Sequence, residues 1–174
     1  MKTLMINVIL LGVIFIQGCT ITSGQLSTLI NLTQRPDIIL SQNAWVVNYK
    51  TYESIVYAVN FSDGILFSNG TGDQILFDGW KVRKISGLGR RGLDIKIDEA
   101  DGVRTFKQGI RIIANHMCQQ WQRYNSHNMV SLSQSCADGR KYTNSILIID
   151  DGSISFIRQI VDDRYTPLTL TKVE

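Results

Sequence analysis

Six Asp-Gly or Asn-Gly steps punctuate the chain, at Asp63-Gly64, Asn69-Gly70, Asp78-Gly79, Asp101-Gly102, Asp138-Gly139 and Asp151-Gly152. Between them the residues alternate apolar and polar. A glycine after a short polar side chain is what a tight primed turn needs, so such a step between alternating runs is the strongest local signal for a hairpin. Trp45, Val47 and Tyr49 alternate with Val46, Asn48 and Lys50, and Ile55, Tyr57, Val59 and Phe61 repeat the pattern. Both runs read as strands with these residues on the buried face. Leu93, Ile95 and Ile97 alternate with Asp94, Lys96 and Asp98, which gives one apolar and one charged face. Ile146 to Ile149 is continuously apolar and reads as a strand covered on both sides. A meander of this length ends with its edges paired by curling or closing. The expected fold is all-β: an antiparallel, hairpin-rich barrel or strongly curved sheet over residues 44–174, with a short N-terminal helix packed on it.

That helix is placed by a change of period. Leu26, Leu29, Ile30 and Thr33 share one side of a 3.6-residue repeat, and Arg35-Pro36 stops it. It falls in segment 19–43, which also carries the lipidated N-terminus. Before it, Lys2 supplies a positive start and Leu4 to Ile16 an apolar run too short to span a bilayer. The following Ile16-Gln17-Gly18-Cys19 resembles the lipobox of bacterial lipoproteins. Residues 1–18 then form a signal peptide, and Cys19 becomes the acylated first residue, held at the membrane by more than one chain. In the sorting rule of enteric bacteria an Asp after the cysteine retains the protein at the inner membrane. Thr20 stands there instead, so the expectation is an outer-membrane lipoprotein facing the periplasm.

Removing residues 1–18 from the 174 takes one cation, Lys2, and leaves 17 Lys and Arg against 15 Asp and Glu. A net charge of +2 points to no nucleic acid and no strongly charged partner. The 156 residues that remain suit one domain. Export also places Cys118 and Cys136 where disulfides form, and a disulfide between them is expected. The alternatives are free thiols or a metal site from His116, Cys118, His127 and Cys136, but the spacing of those four matches no closed zinc motif. No cofactor is expected.

Gly87-Leu88-Gly89-Arg90-Arg91-Gly92 fits G-x-G-x-x-G after a strand-like run, Lys81 to Ser86. A dinucleotide site needs the last glycine to open a helix. Leu-Asp-Ile-Lys-Ile-Asp follows instead, so the motif reads as a glycine-rich hairpin with Arg90 and Arg91 at its tip. Two histidines restrict any Ser-His-Asp arrangement to His116 or His127, and no G-x-S-x-G elbow occurs. His127 sits in a loop-like run, Asn125 to Asn128. The carboxylates of Asp98-Glu99-Ala100-Asp101 are of the type glycosidases use, but consecutive acids before a glycine read as a solvated turn. No catalytic residue is expected.

Three segments carry a family resemblance. Asp73 to Leu88 runs as a strand, a turn ending in glycine and a basic-apolar strand leading to Gly-Leu. Met117 to Tyr124 and Tyr142 to Gln159 follow, then Pro167 before an alternating strand. In order and spacing these resemble the YjbF/GfcB lipoproteins, also called YmcC-like or group 4 capsule polysaccharide lipoproteins, over most of residues 45–173. The stretch between Leu88 and Gly109 is compressed relative to that pattern, and Cys136 has no counterpart in it. The resemblance implies a lipid-anchored, non-catalytic accessory component of capsule or exopolysaccharide export, with export proteins or a glycan as partners. A lipid- or lipoprotein-carrying curved sheet is the second reading, and a purely structural lipoprotein the third.

Overall fold

The computed structural model describes residues 44–90 and 92–173. The expected helix, the signal peptide and Cys19 lie outside the described residues, as does Arg91. Thirteen antiparallel strands follow in chain order. They are β1 (Ala44–Tyr49), β2 (Tyr52–Phe61), β3 (Gly64–Ser68), β4 (Gln74–Phe77), β5 (Val82–Ser86), β6 (Asp94–Ala100) and β7 (Val103–Gln108). After these come β8 (Arg111–Cys118), β9 (Gln122–Ser126), β10 (Met129–Asp138), β11 (Arg140–Ile149), β12 (Ile154–Ile160) and β13 (Pro167–Lys172). All six Asp-Gly and Asn-Gly steps fall at the connections between consecutive strands. At Asp101 and Gly102 both φ angles are positive, 52° and 74°, as a two-residue primed turn demands.

Twelve of the strands close into a barrel. Each pairs with its neighbours in sequence from β1 to β8, then β10 to β13, and β13 returns to β1 with Val47 opposite Leu170. Closure at β8 and β10 is short: only Cys118 with Cys136 and Met117 with Ala137 are paired there. β9 pairs with the other half of β10, from Ser126 opposite Met129 to Gln122 opposite Ser133. β8 and β9 therefore run in the same direction, end to end, along one long strand, and β9 leaves its far edge unpaired among the described residues.

A twelve-stranded barrel has room for a lumen, but this one is flattened and filled. Trp45 meets Phe67 edge-on at 5.0 Å. On opposite walls, the Val82 N–H donates to Gln159 Oε1 at 3.0 Å. Phe67, Phe77, Phe106, Ile97 and Leu170 are completely buried. Among these apolar side chains the interior also holds buried polar ones. The Arg104 guanidinium, with no solvent exposure, donates from NH2 to Gln159 Oε1 at 2.6 Å and lies 3.7 Å from Glu99 Oε2. Gln134 Nε2 donates to Glu99 Oε1, Asn144 Nδ2 to Gln134 Oε1, and the Ile160 N–H to Asn144 Oδ1. This chain of bonds links β6 to β12. It satisfies part of these groups, whose burial without partners would each cost a few kcal/mol, while Arg104 Nε and Nη1 and Glu99 Oε2 have no hydrogen-bond partner among the described residues.

Three expectations about faces need correction. Ile55, Val59 and Phe61 point outward, 53%, 46% and 57% exposed. Register decides this: Trp45 faces the core and stands opposite Val56, so Val56 turns inward and Ile55 outward. Ile146 is buried but Ile149 is 38% exposed, so β11 alternates instead of being covered on both sides. Asp98, Glu99 and Ala100 belong to β6, not to a solvated turn; only Asp101 lies in the turn, and Glu99 faces the interior toward Arg104.

Candidate functional site

The β4–β5 turn, the β11–β12 turn and the β9–β10 hairpin lie at one rim. Between them is an open cleft of about 700 Å³. Its floor is the inward face of β10 and β11, with Val130, Leu132 and Ile148. Trp80 of the β4–β5 turn and Trp121 of the β8–β9 junction form one wall, ring centroids 6.1 Å apart and tilted by 53°. Arg123 and Asn125 of β9 and Asp150 of the β11–β12 turn bring polar groups to it. An apolar floor with a few convergent polar groups is the usual composition of a ligand site.

The backbone of Trp80 is fixed, although the residue is 51% exposed. Asp78 Oδ1 accepts from the Trp80 N–H at 3.0 Å and from the Lys81 N–H at 2.9 Å, an Asx-type turn. The Trp80 carbonyl accepts from Gln159 Nε2 at 2.8 Å, and Gln159 is in turn bound by Arg104. The buried polar network thus reaches through the barrel to the turn that carries the exposed indole. On β9, Arg123 Nε donates to Asn125 Oδ1 at 3.1 Å.

The residues singled out from the sequence divide among three places. Cys118 and Cys136 form a disulfide at the closing seam. His116 is buried beside them, stacked on Tyr165 at 5.3 Å, and its Nδ1 shares a 2.7 Å hydrogen bond with the Tyr142 hydroxyl. Burial pulls its pKa below the ordinary histidine value, against the pull of Asp138, so the imidazole is neutral near pH 7. His127 lies elsewhere, in the β9–β10 turn on the rim of the cleft. With both thiols in the disulfide and the two histidines apart, the four residues do not form a shared metal site. Ser126, His127 and Asp150 all line the cleft, but no hydrogen bond joins their side chains among the described residues. Asp150 is the single carboxylate among the cleft's described lining residues, whereas glycoside hydrolysis uses a pair.

The glycine motif forms the β5–β6 connection. Leu88 is buried, Arg90 is exposed, and the Leu88 N–H donates to Asp73 Oδ1 at 2.6 Å. No helix follows; β6 begins at Asp94.

Reasoning from the sequence missed the cleft. Trp80 directly follows Asp78-Gly79, and a large indole beside a turn was the available signal. Trp121 carried none, because its role depends on the break between β8 and β9. Arg104 was hidden by alternation: in Val103-Arg104-Thr105-Phe106 it shares the face of Phe106, which only the register turns inward. No protein-family model matches this chain, and no curated protein and no solved structure is significantly similar to it.

Proposed function

We propose that this chain is a non-catalytic, lipid-anchored envelope protein, an accessory component of capsule or exopolysaccharide export or assembly at the periplasmic face of the outer membrane. The observation that carries the reading is the tryptophan-walled cleft, a recognition surface with a single carboxylate among its described lining residues. The lipobox-like Ile16-Gln17-Gly18-Cys19 supplies the anchor, and the resemblance to the YjbF/GfcB lipoproteins supplies the process. A lipid carrier needs an empty apolar lumen, whereas Phe67, Phe77 and Phe106 fill this one.

Deletion of the gene tests the reading, with secreted polysaccharide as the measurement. Secretion should fall and be restored by the wild-type chain and by His116→Ala. Cys19→Ser should give an unprocessed precursor that takes up no labelled fatty acid and restores secretion poorly. Unchanged polysaccharide in the deletion strain, with altered outer-membrane lipid or lipoprotein content, would favour the carrier. Loss of function in a well-folded His116→Ala variant would favour an enzyme.

A further inference from the structure

We infer that the Trp80–Trp121 cleft is a saccharide-binding site, which takes a short stretch of a polysaccharide chain across the barrel rim. The inference rests on the export reading for the source of the glycan, but its chemistry stands on the cleft itself. A sugar ring has a flat face of C–H groups and an equatorial belt of hydroxyls that both donate and accept hydrogen bonds. An indole offers a flat apolar surface of matching shape, and a half-exposed one in water gains by covering it. The Trp80 backbone is held by Asp78 and by Gln159, and its ring stands 6.1 Å from the ring of Trp121. A turn already fixed loses little backbone freedom on binding.

The polar groups complete the match. Arg123 offers donors, Asp150 acceptors and Asn125 both, on two elements that face one another across the Val130–Leu132–Ile148 floor. An acyl chain would leave these groups unpaired, which disfavours a lipid. The competing occupant is an extended peptide. Ser135 accepts from the Gln119 N–H, so alternate residues of β10 turn their amides toward β9. By the same alternation Arg123 and Asn125 turn their own amides to the open edge. A strand added there would meet the cleft too, yet it has no use for a paired indole wall beside polar groups on both sides.

The test uses the full lipoprotein purified from membranes in detergent. It is titrated with cellohexaose, with trigalacturonate and with the polysaccharide the cell itself exports, read by tryptophan emission and calorimetry. At least one saccharide should bind saturably. Trp80→Ala, at an exposed turn position, should weaken it at least about tenfold, as loss of a central aromatic anchor does. Arg123→Ala and Asp150→Ala should weaken it several-fold with unchanged melting temperatures. No saturable binding by any of the three, or equal binding by Trp80→Ala, overturns the inference. Protection of β9 amides by an extended peptide, with no saccharide response, would make the cleft a strand-addition site instead. A secretion defect in the deletion strain that Trp80→Ala fully restores sinks the saccharide site alone. Saccharide binding without any secretion defect sinks the export role alone.

Discussion

Cys118 and Cys136 stand directly opposite one another on β8 and β10, Cα atoms 4.0 Å apart, at the point where the barrel closes. Just one further residue pair joins those two strands, so the covalent bond carries much of the closure. Cys118→Ala/Cys136→Ala should lower stability by about 3 kcal/mol in the chain-entropy model for an 18-residue separation. Hydrogen exchange should accelerate first in β8, β9 and the middle of β10, while β1 to β5 stay protected. Uniform acceleration across the barrel would show that the seam does not open separately.

The Arg104–Gln159 pair should be more sensitive than any surface ion pair. Arg104→Ala leaves Glu99 half-partnered in the interior, and the expected loss is about 3–5 kcal/mol, measured by denaturant unfolding. Gln159→Ala removes the Trp80 carbonyl's partner and should cost about 1–3 kcal/mol. It should also red-shift Trp80 emission as the turn loosens, compared in a Trp121→Phe background. By contrast, Lys84→Ala, which breaks an exposed 3.3 Å pair with Asp94, should change stability by less than about 1 kcal/mol.

Stability should fall toward acid in two stages. His116 resists protonation because it is buried, while the unfolded chain takes up that proton near pH 6.5. Its share is therefore present above about pH 6.5 and is lost as pH falls through the lower folded value. Burial alone would push Asp73 up, but hydrogen bonds from the Tyr52 hydroxyl, Asn69 Nδ2 and the Leu88 N–H outweigh it and hold the carboxyl below its usual range. Its share is present above about pH 4 and lost below. His116→Phe should remove the upper stage and leave the lower one, as read by melting temperature against pH.

At the alkaline end, burial pushes the Tyr142 hydroxyl up to about 12, partly opposed by Arg104. The unfolded chain ionises that group near pH 10, so stability should decline between about pH 10 and 12. Tyr49 is raised in the same direction by burial and by the Asp162 carboxylate, to whose Oδ2 it donates at 3.0 Å. Tyr142→Phe should make the decline shallower without abolishing it.

The glycines of the β5–β6 connection should differ in tolerance although all have positive φ. A Cβ on Gly89 would lie 2.3 Å from Tyr52 Cδ2, and one on Gly87 2.7 Å from the Gly72 carbonyl oxygen. Gly92 has open space. Gly92→Ala should cost about 1 kcal/mol for its backbone conformation alone, and Gly87→Ala clearly more. Equal losses would mean that the close packing of the loop contributes nothing.

Much of this protein is local and was legible as such. Alternation in Trp45-Val46-Val47-Asn48-Tyr49 and in Leu93 to Asp98 sets strands because the side-chain period of a strand is two. The Asp-Gly and Asn-Gly steps set hairpins because glycine tolerates positive φ. Those two properties alone determine an antiparallel all-β chain, while the pairing seen at the seam is the one expected from the export signal and the two cysteines beyond Cys19. What they do not determine is which face of each strand is the inner one. Ile55, Val59 and Phe61 look more apolar than Ser54, Val56 and Ala58, yet closure against β1 turns the latter set inward. The same long-range register buries Arg104 against Gln159, 55 positions away, and turns Glu99 toward the arginine. It also brings Trp80 to Trp121 across the rim. A side chain's neighbours within a strand follow from the chain; its neighbours across a closed barrel follow only from how twelve strands share one interior.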